Sequence, residues 1–476
     1  MHFIVVLPIP KRQAICKDLG MSELLFELLY YMKSNKQDIF KDSHNEKEKF
    51  EELYNTCYEV IEVMIKDNYR FKVHVGKWID FVIEDVIEND AVARLAALKE
   101  ILKGNQLLVK NFIREQLIVH LGDNFKRNQK PEKYLEIFRC FCIVDSEAVT
   151  KNQTNILNLF IKGLQGTDFS YEFKEEKGVL MVQSCLNKKT RSRIFGDYYK
   201  SAMEEVPESW AYMVEYINLL ADLCYGRNKI VKNYLEKQFE LRVLIALLKD
   251  PAINDAYVPV LRLIHYLYIE GADYYPVLQI NNICKYSKLE DVPQINTTEA
   301  YNKPWQTDMK SLMDELMDKL SADRKLQPTI DDMEYNRKLE TVLKAILTTI
   351  ELGFWQNMDE LAKIIGYAQN ILANDSTSII ALTQLDIKKA LKNELDEAYT
   401  RIKSSLKLPS KQNLLVIDCK LMATKIIECI LDYELDLRVV TTCQKFKELT
   451  IKASDPDISK ASEMQKAIEM GYTSTE

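Results

Sequence analysis

The sequence is poor in the residues that turn a chain. It has 13 glycines and 12 prolines in 476 residues, against usual frequencies of about 7% and 5%. So few turn formers argue against a β-sandwich or a sheet-rich enzyme and favour long helices. No stretch approaches the roughly 20 consecutive apolar residues that a membrane-spanning helix needs. The apolar run Phe3 to Leu7 is too short for a signal peptide, and no basic stretch precedes it. A net positive charge is also lacking. A formal charge of −7 gives no electrostatic footprint for nucleic acid. There is no GxSxG, no P-loop and no GxGxxG, so nothing in the sequence supports an enzyme. His2, His44, His74, His120 and His265 lie far apart, and Cys140-x-Cys142 has no second pair at zinc spacing. Glu290-Asp291 and Asp331-Asp332 lack the ligand spacing of a calcium loop. No metal or other cofactor is expected.

What is present is helical grammar. Hydrophobic residues make up 47% of the chain and charged residues 28%, enough to build a core under a soluble surface. The length allows two to four packed units. Ten cysteines are scattered, mostly through apolar stretches, and read as small buried hydrophobes in a reducing compartment. The most informative run is WAYMVEYINLLADLCYGRN, Trp210 to Asn228. At helical spacing Trp210, Met213, Val214, Ile217, Leu220, Ala221 and Cys224 share one face. Gly226 follows where a helix C-cap would sit. Helix-like runs over Val231–Leu248 and Val258–Ile269 come next. His265 lies on the apolar run and reads as a satisfied, half-buried histidine. Packed helical hairpins, one per roughly 40 residues, predict an all-α fold, an armadillo/HEAT-like α-solenoid.

Along the chain the expected organisation is a helical block over 1–165, an irregular connection over 166–206, helical hairpins over 207–286, a linker over 287–307, a second helical block over 308–455 and a polar tail over 456–476. Within the first block the pattern predicts a charged linker over Lys41–Glu52. Helices are expected at Phe50–Asp67, Val75–Glu88, Ala91–Lys103, Asn105–His120 and Pro131–Phe141. Phe169–Phe173 and Val179–Val182 read as strands or a loop, and Asn187–Arg193 as a basic loop. In the second block helices are expected at Asp308–Leu320, Asp331–Leu352, Asn357–Ala373, Ser378–Leu406 and Asn413–Asp432, with a turn at Asn374–Thr377.

Five segments, in order, carry a family likeness. They are KYLEIFRCFC (Lys133–Cys142) with Asn152-Gln153; Trp210–Leu235; VPVLRLIHYLYIEG with NNICKYSKLEDVP; Glu340–Leu372 around the corner Leu352-Gly353-Phe354; and IDCKLMATKIIECILDYELDLRV from Ile417. From about Pro10 to about Lys445 the chain resembles the cytosolic helical region of the inositol trisphosphate receptors and their ryanodine receptor relatives, closer to the former branch. The β-trefoil domains that open those receptors and the six-helix channel domain that closes them have no counterpart here. The resemblance implies a regulatory solenoid that carries ligand-induced motion and docks neighbouring domains, subunits or other proteins on its concave face. It implies a place in the cytoplasm, on the cytosolic side of the endoplasmic reticulum.

In that family the helical half of the ligand core offers basic residues and a tyrosine to the phosphates of inositol trisphosphate. By this resemblance Lys17, Tyr69 and Arg70 are the candidate inositol phosphate-binding residues. Clustered cations and planar guanidinium groups are the donors that phosphate favours. Pro10 and Ala14 stand where basic residues would be, and Phe71 replaces a lysine; Arg12 lies close by. The plainer reading is that Lys17, Tyr69 and Arg70 are ordinary surface or helix-end residues. Lys188, Lys189, Arg191 and Arg193 offer a basic stretch to anionic headgroups or an acidic partner, against the plainer reading of a solvated loop. A free-standing interaction scaffold that has lost channel and ligand function is the alternative to a channel segment.

Overall fold

A computed structural model describes residues 10–35, 44–89, 91–125, 132–165, 167, 169–186, 189–205, 207–270, 305–321, 326–327, 332–355, 357–373, 414–432 and 445. The chain divides into two compact units, Met1–Ala272 and Asp273–Glu476. Both are all-α in character, as the scarcity of turn residues predicts. The expected helix Ser378–Leu406, the turn before it and the tail beyond 455 lie outside the described residues.

The first unit opens with α1 (Pro10–Asp18), α2 (Met21–Ser34), α3 (His44–Ile65), α4 (Tyr69–Val75), α5 (Ile79–Glu88), α6 (Val92–Leu102), α7 (Gln106–Phe112), α8 (Glu115–Phe125) and α9 (Glu132–Cys142). After a two-stranded hairpin come α10 (Thr150–Leu159), a three-stranded sheet, α11 (Phe195–Glu205), α12 (Pro207–Cys224), α13 (Lys229–Leu235), α14 (Leu241–Lys249) and α15 (Tyr257–Ile264). The helices form two rows. In one, α3, α6, α9, α12 and α15 each lie against the next. In the other, α5 packs on α8, α8 on α10 and α10 on α13. Each helix therefore buries one face against its own row and another against the opposite row. This is why α12 is apolar on more sides than a single stripe: Tyr212, Met213, Tyr216, Ile217, Leu219, Leu220, Ala221, Leu223 and Cys224 are all buried.

Several boundaries differ from the sequence pattern. From His44 on, the charged stretch expected to link helices is part of α3 instead, because Lys and Glu are good helix formers. The helix expected over Asn105–His120 breaks after Phe112, where Ile113 turns extended (φ −78°, ψ 102°). Val75–Glu88 is interrupted by a 3₁₀ turn at Gly76–Trp78; a Cβ at Gly76 would press on Leu108 Cδ1 at 3.0 Å. The run Val231–Leu248 splits into α13 and α14.

The irregular connection contains real sheet. Strands β3 (Tyr171–Glu176), β4 (Val179–Leu186) and β5 (Lys189–Ile194) form an antiparallel meander in the order β3-β4-β5. Lys177 (φ 54°) and Gly178 (φ 78°) make the two-residue turn of the first hairpin, the geometry that matches strand twist. Phe173 alternates inward to meet Phe195 and Phe239. The basic stretch expected as a loop is, from Lys189 on, strand β5. A shorter hairpin, β1 (Ile143–Val144) with β2 (Glu147–Ala148), turns through Asp145 and Ser146, both left-handed.

In the second unit α16 (Trp305–Ser321) packs on α17 (Met333–Glu351) and α18 (Met358–Ala373). A further helix, α19, spans 414–432 and meets α17 where the Cys419 thiol approaches the Asn336 carbonyl at 3.4 Å. The corner Leu352-Gly353-Phe354 ends α17. Gly353 is left-handed (φ 74°); its N–H donates to Ile350 O at 2.9 Å and that of Phe354 to Thr349 O at 2.9 Å. These two bonds are a Schellman cap, which requires glycine at that position.

Candidate functional site

The first unit has its densest polar construction where α9, α10, α12, α13 and α15 meet. Asn152 and Gln153, side by side in α10, are both buried. Asn152 Nδ2 donates to Phe141 O at 3.1 Å and Val109 O at 3.4 Å. Gln153 Nε2 donates to Asp222 O at 3.0 Å and Tyr225 O at 2.9 Å, carbonyls at the end of α12 that have no helical partner of their own. Asn228 Nδ2 returns a bond to Gln153 Oε1 at 3.2 Å and also reaches Thr150 O and Thr154 Oγ1. Its Oδ1 accepts from the N–H groups of Ile230 and Val231 and so caps α13. One amide pair thus ends one helix and starts the next.

Beside it runs an ionic ladder. Arg139 on α9 donates from Nε to Asp222 Oδ2 at 2.7 Å and from Nη1 to Glu215 Oε2 at 2.7 Å. Arg262 on α15 reaches the other Asp222 oxygen and donates to Asn218 Oδ1 at 3.1 Å. Asp222, 4% exposed, stands between two guanidinium groups from the helices on either side of α12. Two cations and two carboxylates balance, so no net charge is stranded. Burial works against the Arg139 charge, but Asp222 and Glu215 outweigh it and hold the guanidinium above its usual value.

The β1–β2 hairpin is wedged beside this joint. Tyr225 Oη donates to Ser146 O at 2.9 Å. Gly226 (φ +77°) sits so near the hairpin that a Cβ there would overlap Ala148 Cβ. The expected C-cap at Gly226 is thus also a close approach of two backbones. Cys142 and Cys224 lie nearby; burial pushes both thiols up, and pushes Cys140 up to about 11. Burial thus favours the neutral thiol at all three. Among the described residues no cluster of His, Cys, Asp and Glu could hold a metal ion.

The residues chosen for phosphate lie elsewhere. Lys17 is half-buried on α1; Tyr69 is 62% exposed and, with the exposed Arg70, opens α4. The two elements adjoin. Gln13, one turn before Lys17, donates to Lys66 O at 2.8 Å and accepts from Asn68 Nδ2 at 3.2 Å, immediately before Tyr69. Phe71, where the resemblance would set a lysine, is 1% exposed and belongs to the core. The next cation, Lys72, is buried and paired with Glu100 at 2.6 Å. His265 is buried, with Nε2 3.1 Å from Glu270 Oε1.

Residues 2–168 match the family model described as RYDR_ITPR: RIH domain. That segment is similar to the RIH domain, in line with the likeness carried by the motifs within it. No curated protein matches the chain. No helix among the described residues is long and apolar enough to cross a membrane. Arg139, Asn152 and Gln153 fall inside the matched segment, and Glu215, Asp222, Asn228 and Arg262 fall after it. Reading the sequence singled out Asn152-Gln153 but not the ladder. The available signal was a charge set within an otherwise apolar turn of each helix: Arg139, Asp222 and Arg262.

Proposed function

We propose that the chain is a regulatory and scaffolding solenoid segment of an inositol trisphosphate receptor-type calcium-release channel, working on the cytosolic side of the endoplasmic reticulum. It relays motion from its RIH domain into the following helices and docks partner domains or subunits. It performs no catalysis. The observation that carries the reading is the joint around Gln153 and Asp222. Directional bonds link the RIH domain to helices outside it, so rotation of one is passed to the other rather than absorbed. Two rows of helices, each touching chiefly its neighbours, let small rotations accumulate. Lys17, Tyr69 and Arg70 are the remaining inositol phosphate contacts in this reading.

A second reading, a free-standing interaction scaffold, is favoured by Phe71 in the core and Lys72 held by Glu100, which leave few cations for phosphate. Immunoblots of membrane and soluble fractions, paired with inositol trisphosphate binding to the purified chain, separate the two. A membrane band several times larger than 55.5 kDa supports the channel segment. A soluble band of that mass with no binding supports the scaffold and refutes the channel reading.

A further inference from the structure

Helix α2 stands at the start of both rows. Ser22, Phe26, Leu29 and Met32 are its buried stripe. That stripe packs on α3, and Phe26 stacks on Trp78 at 5.1 Å and meets Phe81 of α5 edge-on at 6.3 Å. Lys33, near the end of α2, reaches Glu88 of α5 at 2.9 Å and Asp85 at 3.6 Å. A second stripe, Met21, Leu24, Leu28 and Tyr31, is exposed, Leu24 by 62% and Tyr31 by 63%. Helix α1 touches α2 and α3 yet leaves this stripe in solvent, and Leu19, just ahead of the Gly20 turn, is 68% exposed. Terminal units of a solenoid need a polar outer face for solubility. Single apolar side chains on a surface need no explanation, but four at i, i+3, i+7 and i+10 of one helix have the spacing of a helix–helix seam. Inside the unit, α12 is apolar on two sides and has a helix of its row on each. Helix α2 is apolar on two sides with one of them bare.

We propose that this bare stripe is the docking seam for an amphipathic helix of a partner protein, with apolar residues at heptad spacing and Lys or Arg on the flank that meets Glu27. Charges beside a helical seam decide which partner it accepts. Glu27 is exposed beside Leu24 and Leu28, whereas Glu23 is already held by Lys77 and His74, each at 2.7 Å. Lys33 is the one cation of α2 and is turned to Asp85 and Glu88. A second copy pairing through α2 would therefore bring Glu27 no opposite charge. An anionic lipid surface would repel it. A partner helix here rests on the docking role proposed above, yet its binding to the purified chain is read apart from membrane association, so either can fail without the other.

Fluorescence anisotropy on the full chain tests this with three labelled helical peptides: one with leucines at heptad spacing and lysines on the flank, one with glutamates in place of those lysines, and one with the composition of the first but its leucines scrambled. The first should bind at least tenfold tighter than either of the others. The scrambled peptide is the control for bulk attraction, because the chain carries a formal charge of −7. Glu27→Lys should reverse the preference between the first two peptides. The pair Leu24→Ser, Leu28→Ser should abolish binding while thermal unfolding stays unchanged, since both side chains are exposed. Equal binding of the first and scrambled peptides would reduce the effect to charge and overturn the proposal. So would binding that survives the Leu24, Leu28 pair, failure of all three peptides, or capture of the chain by phosphatidylserine vesicles through the same two leucines. A dimer in sedimentation that the same pair returns to monomer would give the seam to a second copy and also overturn it.

Discussion

Replacing Gln153 with leucine keeps the side-chain volume and removes only its hydrogen bonds. The side chain is fully buried and makes three: two donated, to Asp222 O and Tyr225 O, and one accepted from Asn228. Leucine opens no cavity of note, so the cost lies in the groups left behind. Asn228 Nδ2 keeps Thr150 O and Thr154 Oγ1, so its loss is small. The two carbonyls at the end of α12 have no such reserve. A buried acceptor left unmade costs about 1 kcal/mol or more, which gives about 2 kcal/mol for the pair. Local opening should then be favoured roughly thirtyfold. Native-state hydrogen exchange reads this directly, without requiring the long chain to unfold in one step. Amides of Arg227, Ile230 and Val231 should exchange about thirtyfold faster, while amides of α2 keep their rates. Gln106→Leu is the control, because its bond to Glu147 is exposed and worth little. If the Gln153 variant exchanges within threefold of the unaltered chain at these amides, the joint does not hold the two helices and the relay loses its basis.

Gly226→Ala should cost about 3 kcal/mol, combining left-handed backbone with overlap on Ala148; thermal unfolding within a degree or two of the parent would contradict the close approach. Phe71→Lys, which introduces the lysine that the resemblance implies, should destabilise by about 3 kcal/mol or more because it buries an unpaired charge. Calorimetry should show no gain in inositol trisphosphate affinity, and a tenfold gain would mean that position 71 can reach the ligand. Glu23 links α2 to His74 and Lys77, and its carboxyl is held down to about 2, by Lys77 foremost, against partial burial, with Ser22 and His74 adding. A depressed carboxyl stabilises above its ordinary value near 4.5 and loses that contribution as pH falls towards 2. Exchange of α2 amides should accelerate over that window, and Glu23→Gln should flatten the dependence; identical profiles would rule the contact out.

The helices were legible because burial writes a 3.6-residue period into the sequence. Where two rows share a helix, as at α12, the stripe widens and the pattern understates burial. Breaks were less legible. Ile113 and Gly76 lie at such breaks, and a neighbour such as Leu108, which a side chain at position 76 would press on, leaves no local mark. The strand β5 was missed because Lys and Arg at alternate positions carry no apolar alternation, the signal by which strands are read. Among site residues, Asn152-Gln153, Gly226 and Leu352-Gly353-Phe354 stood out as words. Their reasons, a shared helix cap, a backbone contact and a Schellman turn, depend on partners far away in the sequence, 72 residues between Gln153 and Tyr225, or on φ, which no spacing rule supplies. The ionic ladder was written as charges scattered over three helices, and only the convergence of Arg139 and Arg262 on Asp222 gives them meaning.

That convergence bears on how motion passes through the unit. Apolar contacts between helices are non-directional, and a helix held by them alone can slide or roll with modest loss. A guanidinium fork and an amide with three fixed partners cannot. Arg139 grips α12 from one side and Arg262 from the other, through the two oxygens of one carboxylate. Rotating α9 against α12 must break a bond to a residue that is 4% exposed, where water is poorly placed to replace it. The lower-cost movement keeps the ladder and turns α9, α12 and α15 together. The softer places are then the turns outside the ladder, such as the break after Phe112. A rigid joint with a break outside it would let α9, α12 and α15 move as one body, which is the movement the proposed relay requires.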